Sequence, residues 1–123
     1  MKEIVAIIRP NKAGATRNAL EENGFPAMTL QAVLGRGHQR GIAGEVTVSL
    51  SKDITPEKTP GAMKYIPKRF VSLVVSDEEV EDVIGILLKT NQSGVIGDGK
   101  IFILPIEETM RIRTGETGKE ALV

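Results

Sequence analysis

Apolar and polar positions along the chain fall into two similar cycles. Residues 2–9, "KEIVAIIR", form a nearly continuous β-branched run closed by Arg9-Pro10, the pattern of a strand buried on both faces. Asn11 is placed to cap "KAGATRNALEEN", in which Ala15, Ala19 and Leu20 share a helical face and Gly24 can end the helix in a left-handed conformation. "AMTLQAVLG" (27–35) alternates loosely and predicts a second strand, which runs into the glycine-punctuated "GRGHQRG". From about Gly41 to Pro67 the chain turns polar and rich in glycine and proline, with only "EVTVSL" alternating, so a long excursion is expected. Loops of that length are commonly functional; a tolerated surface insertion is the plainer alternative.

The second cycle starts at "KRFVSLVVS" (68–76), a strand whose last residue, Ser76, pairs with Glu79 as a capping box for a second helix. Val80, Val83, Ile84, Leu87 and Leu88 then give that helix a core-facing stripe. "KIFILPI" (100–106) predicts a further strand, and "MRIR" (110–113) a short one near the C-terminus. The order predicts an α+β, ferredoxin-like βαββαβ fold: a four-stranded antiparallel sheet with both helices on one face and a long loop between strands 2 and 3. Strands 1 and 3 are apolar at both parities (Ile4, Val5, Ile7 and Ile8; Phe70, Val71, Leu73 and Val74), so the helix-free face needs a cover too. Further copies of the chain, or a closely related subunit, are the expected cover.

With 123 residues the chain suits a single domain spanning 1–123. No stretch approaches the roughly 18 apolar residues of a membrane helix, and "EIVAII" is too short for a signal-peptide core, so a cytoplasmic protein with no membrane insertion is expected. The absence of cysteine and a single histidine argue against disulfide frameworks, thiol nucleophiles, zinc sites and histidine triads. Lys plus Arg (16) balance Asp plus Glu (16), and there are only one Tyr, three Phe and no Trp, so nucleic acid is not an expected partner.

The candidate chemistry is anion binding. "SGVIGDGKIF" (93–102) has the Gly-x4-Gly-Lys spacing of a phosphate loop, but it follows a helix and leads into a strand, the reverse of that motif, and Ile101 stands where a magnesium-binding hydroxyl belongs. What survives is local. Gly97 and Gly99 let backbone approach an anion, Asp98 can accept from a ribose or a cation-binding group, and Lys100 can reach a phosphate. Turn chemistry alone reads the same stretch as purely structural. Two other stretches favour the ligand: "RIRTGE" offers Arg111 and Arg113 on one face of the expected short strand, and "GRGHQRG" surrounds Arg36, His38, Gln39 and Arg40 with Gly35, Gly37 and Gly41.

Together these motifs resemble the PII (GlnB-like) signal-transduction family over nearly the whole chain. The resemblance rests on "AIIRPNK", "GFPAMT", "LGRGHQRG", "YIPKR", "TNQSGVIGDGKIFILPIEE" and "RIRTGE". It implies a trimer that binds ATP or ADP in clefts between subunits and, with MgATP, senses 2-oxoglutarate, and a long T-loop, here about 37–65, that contacts the target. It further implies that Gly97, Asp98, Gly99 and Lys100 line the nucleotide cleft with Gly35, Gly37 and His38, that Met28 and Thr29 sit by adenine and ribose, and that Arg111 and Arg113 reach the phosphates from the neighbouring subunit. Gln39 would help hold Mg2+ and 2-oxoglutarate, with Lys68, Gly41 and Gly97 around that effector. Many members carry Arg or Lys where this chain has His38; otherwise a solvent-exposed loop residue, His38 there can add pH sensitivity. Gly61 stands where uridylylated members carry tyrosine, so that modification is not expected, and Tyr65 is expected to pack at the loop base.

The long loop, "GRG" in place of the usual "GFG", and "FILPIEE" resemble the nitrogenase-regulating NifI branch, specifically the second, longer-looped member of its pair. This implies a hetero-oligomer with a paired PII-like subunit, or a homotrimer, that binds and inhibits dinitrogenase when 2-oxoglutarate is low and releases it when 2-oxoglutarate rises with ATP. A PII protein controlling an ammonium transporter or an assimilation enzyme such as glutamine synthetase is the alternative. A small nucleotide-using enzyme is the reading from another class, and it lacks a persuasive general base.

Overall fold

The first strand, β1 (Lys2–Ile8), alternates strictly: Ile4, Ala6 and Ile8 are buried, while Val5 and Ile7 face the other way and are half-buried. In this computed structural model, which describes residues 1–37 and 65–123, β1 lies beside two antiparallel neighbours, β3 (Ile66–Val75) and β4 (Lys100–Pro105). β2 (Thr29–Gly35) completes the four-stranded sheet in the order β2-β3-β1-β4, every neighbour antiparallel. The helices are α1 (Ala13–Glu22) and α2 (Val80–Asn91). This is the ferredoxin-like arrangement the sequence predicts.

Pairing register assigns side chains to faces. Ile4 is opposite Leu73 and Ile103, and Ala6 is opposite Val71 and Ile101. Ile4, Ala6, Val71 and Leu73 form the core with Leu20 of α1 and Val83 and Leu87 of α2, Ile101 packs against it, and Ile103 stays half exposed. Burying an aliphatic side chain of this size stabilises the fold by about 1.5–3 kcal/mol, so this layer dominates the fold's cohesion. On the opposite face the register lines up Gln31, Phe70, Ile7 and Lys100 in one row and Thr29, Ser72, Val5 and Phe102 in the next. Phe102 is 49% exposed and Leu104 is 41% exposed, so this chain leaves apolar surface on its helix-free face.

The predicted capping box forms, at the head of a 3₁₀ turn, Asp77–Glu79, that leads directly into α2. Ser76 and Glu79 form the capping box, with the Ser76 N–H donating to Glu79 Oε1 at 3.3 Å and the Ser76 hydroxyl to the same oxygen at 2.7 Å. Its buried positions are Val83, Leu87 and Asn91, with Val80 and Ile86 packed beside them, while Leu88 is 45% exposed. Asn91 is buried because it has partners: its Nδ2 donates to the Thr16 hydroxyl across the helix pair at 3.1 Å and to the Leu87 carbonyl at 2.9 Å.

Two local expectations are corrected. Asn11 does not cap α1. It lies inside a 3₁₀ turn, Pro10–Lys12, whose first position suits the fixed φ of proline, and the helix begins after it. The buried face is consequently Thr16 and Leu20, and Ala15 is exposed. Gly24 does take the expected left-handed conformation, at φ 90°. The short strand at 110–113 is not formed either: only an isolated bridge joins Met110 to Thr117, closing a turn through residues 112–114. With no neighbouring strand to hydrogen-bond, "MRIR" has no ladder to join, and Ile112 is almost fully exposed.

Candidate functional site

Strand polarity gathers one group of residues at a single end of the sheet. β1 and β2 finish there and β3 and β4 begin there, so Arg9, Gly35, Gly37, Tyr65, Lys68 and the turn leading into Lys100 share that end. The two stretches flanking the long loop also meet: the Arg36 guanidinium lies over the Tyr65 ring, 5.8 Å from its centroid, which places Tyr65 at the loop base as expected. Lys68 is buried, and its Nζ donates to the Gly97 carbonyl at 2.9 Å. Gly35 lies against the stem of the same lysine, since a Cβ there would sit 3.5 Å from its Cγ. Gly35, Lys68 and Gly97, distant in sequence, are thus brought together.

The turn 93–99 is held at several points. Gly94, Gly97 and Gly99 all have positive φ, at 84°, 104° and 108°. At Gly99 this freedom is needed twice over, because a Cβ would also lie 1.7 Å from the Ile7 carbonyl oxygen. Asp98 is the hub. Its carboxylate accepts from the Ser93 N–H at 2.7 Å, the Gly94 N–H at 2.9 Å, the Ser93 hydroxyl, and Arg9 Nη1 at 2.6 Å. The Ser93 hydroxyl bond first, then the Ser93 N–H, with Gly94 and Arg9 adding, hold this carboxyl far below the usual aspartate range. Arg9 also donates from Nη2 to the Ile96 carbonyl at 2.8 Å. Both Asp98 oxygens are therefore engaged within the chain. Lys100 is exposed next to this turn.

The remaining predicted residues lie elsewhere. Met28 packs against the core beside Thr29, which opens β2 at the far end of the strand, six residue steps from Gly35, or about 20 Å. β2 and β4 are also the two outer strands, three inter-strand spacings or roughly 14 Å apart. Arg111 and Arg113 follow β4, and the tail is tied to the far end by the Ile106 N–H donating to the Met1 carbonyl and by Lys119 against Glu78. The two arginines do not project together from a strand: Arg111 pairs with Glu116 at 2.6 Å and donates to the Glu120 carbonyl at 2.9 Å and the Val123 carbonyl, while Arg113 is exposed in the turn. His38, Gln39 and Gly41 lie outside the described residues, as does most of the loop 37–65.

Between β1, β4 and α2 lies a hollow of about 300 Å³ with walls including Ile8, Leu87, Asn91, Gly99, Lys100 and Ile101. That is the lower end of the range for small-molecule pockets. For a cation, no group of three or more His, Cys, Asp or Glu converges among the described residues. Mg2+ takes much of its shell from water and substrate phosphates, so the described residues fit Mg2+ carried in on a nucleotide. No helix among the described residues is long and apolar enough to cross a membrane.

Sequence reasoning missed Arg9 and Ser93. Arg9-Pro10 reads as the end of a strand, and only the fold brings it against a turn nearly ninety positions away; the short Ser93-to-Asp98 spacing in a glycine turn was the one available signal.

A ferredoxin-like sheet whose chain makes a long excursion between β2 and β3, with cation-and-glycine sites at its two ends, defines the class: the chain belongs to the PII family, whose model, Nitrogen regulatory protein P-II, matches residues 1–116. Members of this family are oligomeric regulators that act on target proteins and are not enzymes. Within it, the chain is 52% identical over 124 residues to "Nitrogen fixation nifHD region GlnB-like protein 2" of Methanobacterium ivanovii, covering 100% of both, and falls with the second members of the NifI branch. It is 50% identical over 123 residues to the protein of the same name from Methanothermobacter marburgensis, covering 99% of this chain and 100% of that one. Among solved structures, the crystal structure of Arabidopsis thaliana PII bound to citrate superposes with a TM-score of 0.72 at 29% identity, covering 98% of this chain and 88% of that chain.

Proposed function

We propose that this nitrogen regulator senses ATP or ADP together with 2-oxoglutarate and controls dinitrogenase by direct contact through its T-loop. One observation carries the reading: the residues suited to a nucleotide are divided between opposite ends of the sheet, with Gly97, Gly99 and Lys100 at one and Met28, Thr29, Arg111 and Arg113 at the other. The described residues of one chain do not close such a site, and in the proposed assembly the loop end of one chain meets the far end of its neighbour. The half-exposed apolar side chains on the helix-free face supply the surface for that assembly, as a homotrimer or with a paired PII-like subunit.

In this reading Lys100 meets the phosphates, Arg113 and Arg111 approach them from the neighbour, and Gly35 and Gly37 shape the base of the loop. The effector site is built around Lys68. A dicarboxylate beside a triphosphate needs cations to be tolerated, and Lys68 together with Mg2+ held through Gln39 meets that need. Ligands then act by favouring one arrangement of the T-loop over another, which changes its affinity for the target. The nif-region names of the similar proteins favour dinitrogenase as that target.

Calorimetry of 2-oxoglutarate with and without MgATP tests the sensor. Saturable binding that needs MgATP is expected, and binding indifferent to nucleotide, or none with it present, contradicts the mechanism.

A further inference from the structure

The turn proposed to meet nucleotide phosphates carries a carboxylate at its centre. Asp98 stands immediately before Gly99 and Lys100, and a negative charge there opposes a polyanion unless something offsets it. Arg9 does so: its guanidinium is 2.6 Å from Asp98 Oδ1, and the two side chains are only 15% and 22% exposed. The same guanidinium takes up the Ile96 carbonyl at 2.8 Å, and Lys68 takes up the next one, Gly97, at 2.9 Å. Two successive carbonyl oxygens, the backbone groups that would repel a phosphate, are thus turned onto cations.

We propose that Arg9 and Asp98 are a positioning pair for the nucleotide: Asp98 folds the 93–99 turn through its hydrogen bonds, and Arg9 neutralises that carboxylate and orients the turn's carbonyls away from the anion. Neither side chain touches the ligand. Arg9 rather than a lysine suits the task, because its planar fork serves the carboxylate from Nη1 and the carbonyl from Nη2 at once. The proposal rests on the nucleotide reading and has its own distinguishing signature, since an unmasked carboxylate penalises ligands in proportion to their charge.

The test is the affinity of the intact oligomer for ATP, ADP, AMP and adenosine, with Tm recorded for each variant. Arg9→Gln is expected to weaken ATP by about tenfold or more, ADP less, and adenosine little, an effect that shrinks as salt is raised. Arg9→Lys, which keeps a charge beside Asp98, is expected to retain most of the ATP affinity and serves if R9Q does not fold. The decisive arm is R9Q/D98N: removing the carboxylate as well is expected to recover part of the ATP affinity lost in R9Q, which a purely structural role does not allow. Equal losses for ATP and adenosine, or a double variant as weak as R9Q or weaker, would overturn the pair's assigned role. Wild-type protein that binds none of these nucleotides would overturn the nucleotide reading itself, a different result from wild-type binding that R9Q leaves unchanged.

Discussion

At the scale of single residues, Gly99 and Asp98 show how little of this turn is interchangeable. Gly99→Ala forces a Cβ to within 1.7 Å of the Ile7 carbonyl oxygen at φ +108°, so β4 must shift off β1 or the turn must unwind. A loss of at least about 3 kcal/mol is expected in chemical denaturation at fixed protein concentration. Asp98 makes stability pH-dependent in a defined direction. Its carboxyl titrates lower folded than unfolded, so its contribution is present above the unfolded value of 3.8 and is lost as pH falls below that toward the folded value. Asp77, held down first by its hydrogen bond from the N-terminal ammonium, acts in the same sense. Asp98→Asn should therefore be less stable than wild type at pH 7, with the gap narrowing below about pH 4; a gap independent of pH contradicts the assignment. Lys100 is different in kind, exposed and beside the turn without holding it. Lys100→Ala should lose most ATP affinity while Tm stays near wild type.

At the scale of elements, the sequence announces itself wherever a local rule acts alone. The Ser76–Glu79 box and the Val83–Leu87 stripe were legible because capping and helical periodicity need only neighbours within a few positions. Ser76→Ala should cost about 1 kcal/mol through loss of that cap, readable by denaturant midpoint. Asn11 and "MRIR" misled for the same reason in reverse: each has the right residue types, and the outcome was decided by a proline turn in one case and by the lack of a strand to pair with in the other. Of the candidate site, glycines and cations were legible as types. The family resemblance set Lys68 and Gly97 around one ligand, but the direct bond between them and the pairing of Arg9 with Asp98 were not legible, because each joins segments that only the sheet's register brings together. For the long loop, deleting residues 45–62 should leave nucleotide binding intact and abolish inhibition of the target enzyme; inhibition that survives places the target interface elsewhere.

For the molecule as a whole, strand polarity in the β2-β3-β1-β4 sheet puts the two candidate half-sites at different ends of one sheet. Under the proposed function, the sheet that gives the chain its core leaves each half-site to be completed by a neighbour, and assembly is then a condition of ligand binding. Complementation between two defective chains tests this most directly. Lys100→Ala damages the loop end and Arg113→Ala the far end, and each variant alone should bind ATP weakly. Oligomers re-formed from an equal mixture contain clefts that take Lys100 from one chain and Arg113 from the other, roughly a quarter of all clefts on random mixing. Recovery of about that fraction of wild-type, high-affinity ATP sites in the mixture is the predicted result, and a mixture that binds no better than the two variants measured separately would contradict the shared cleft.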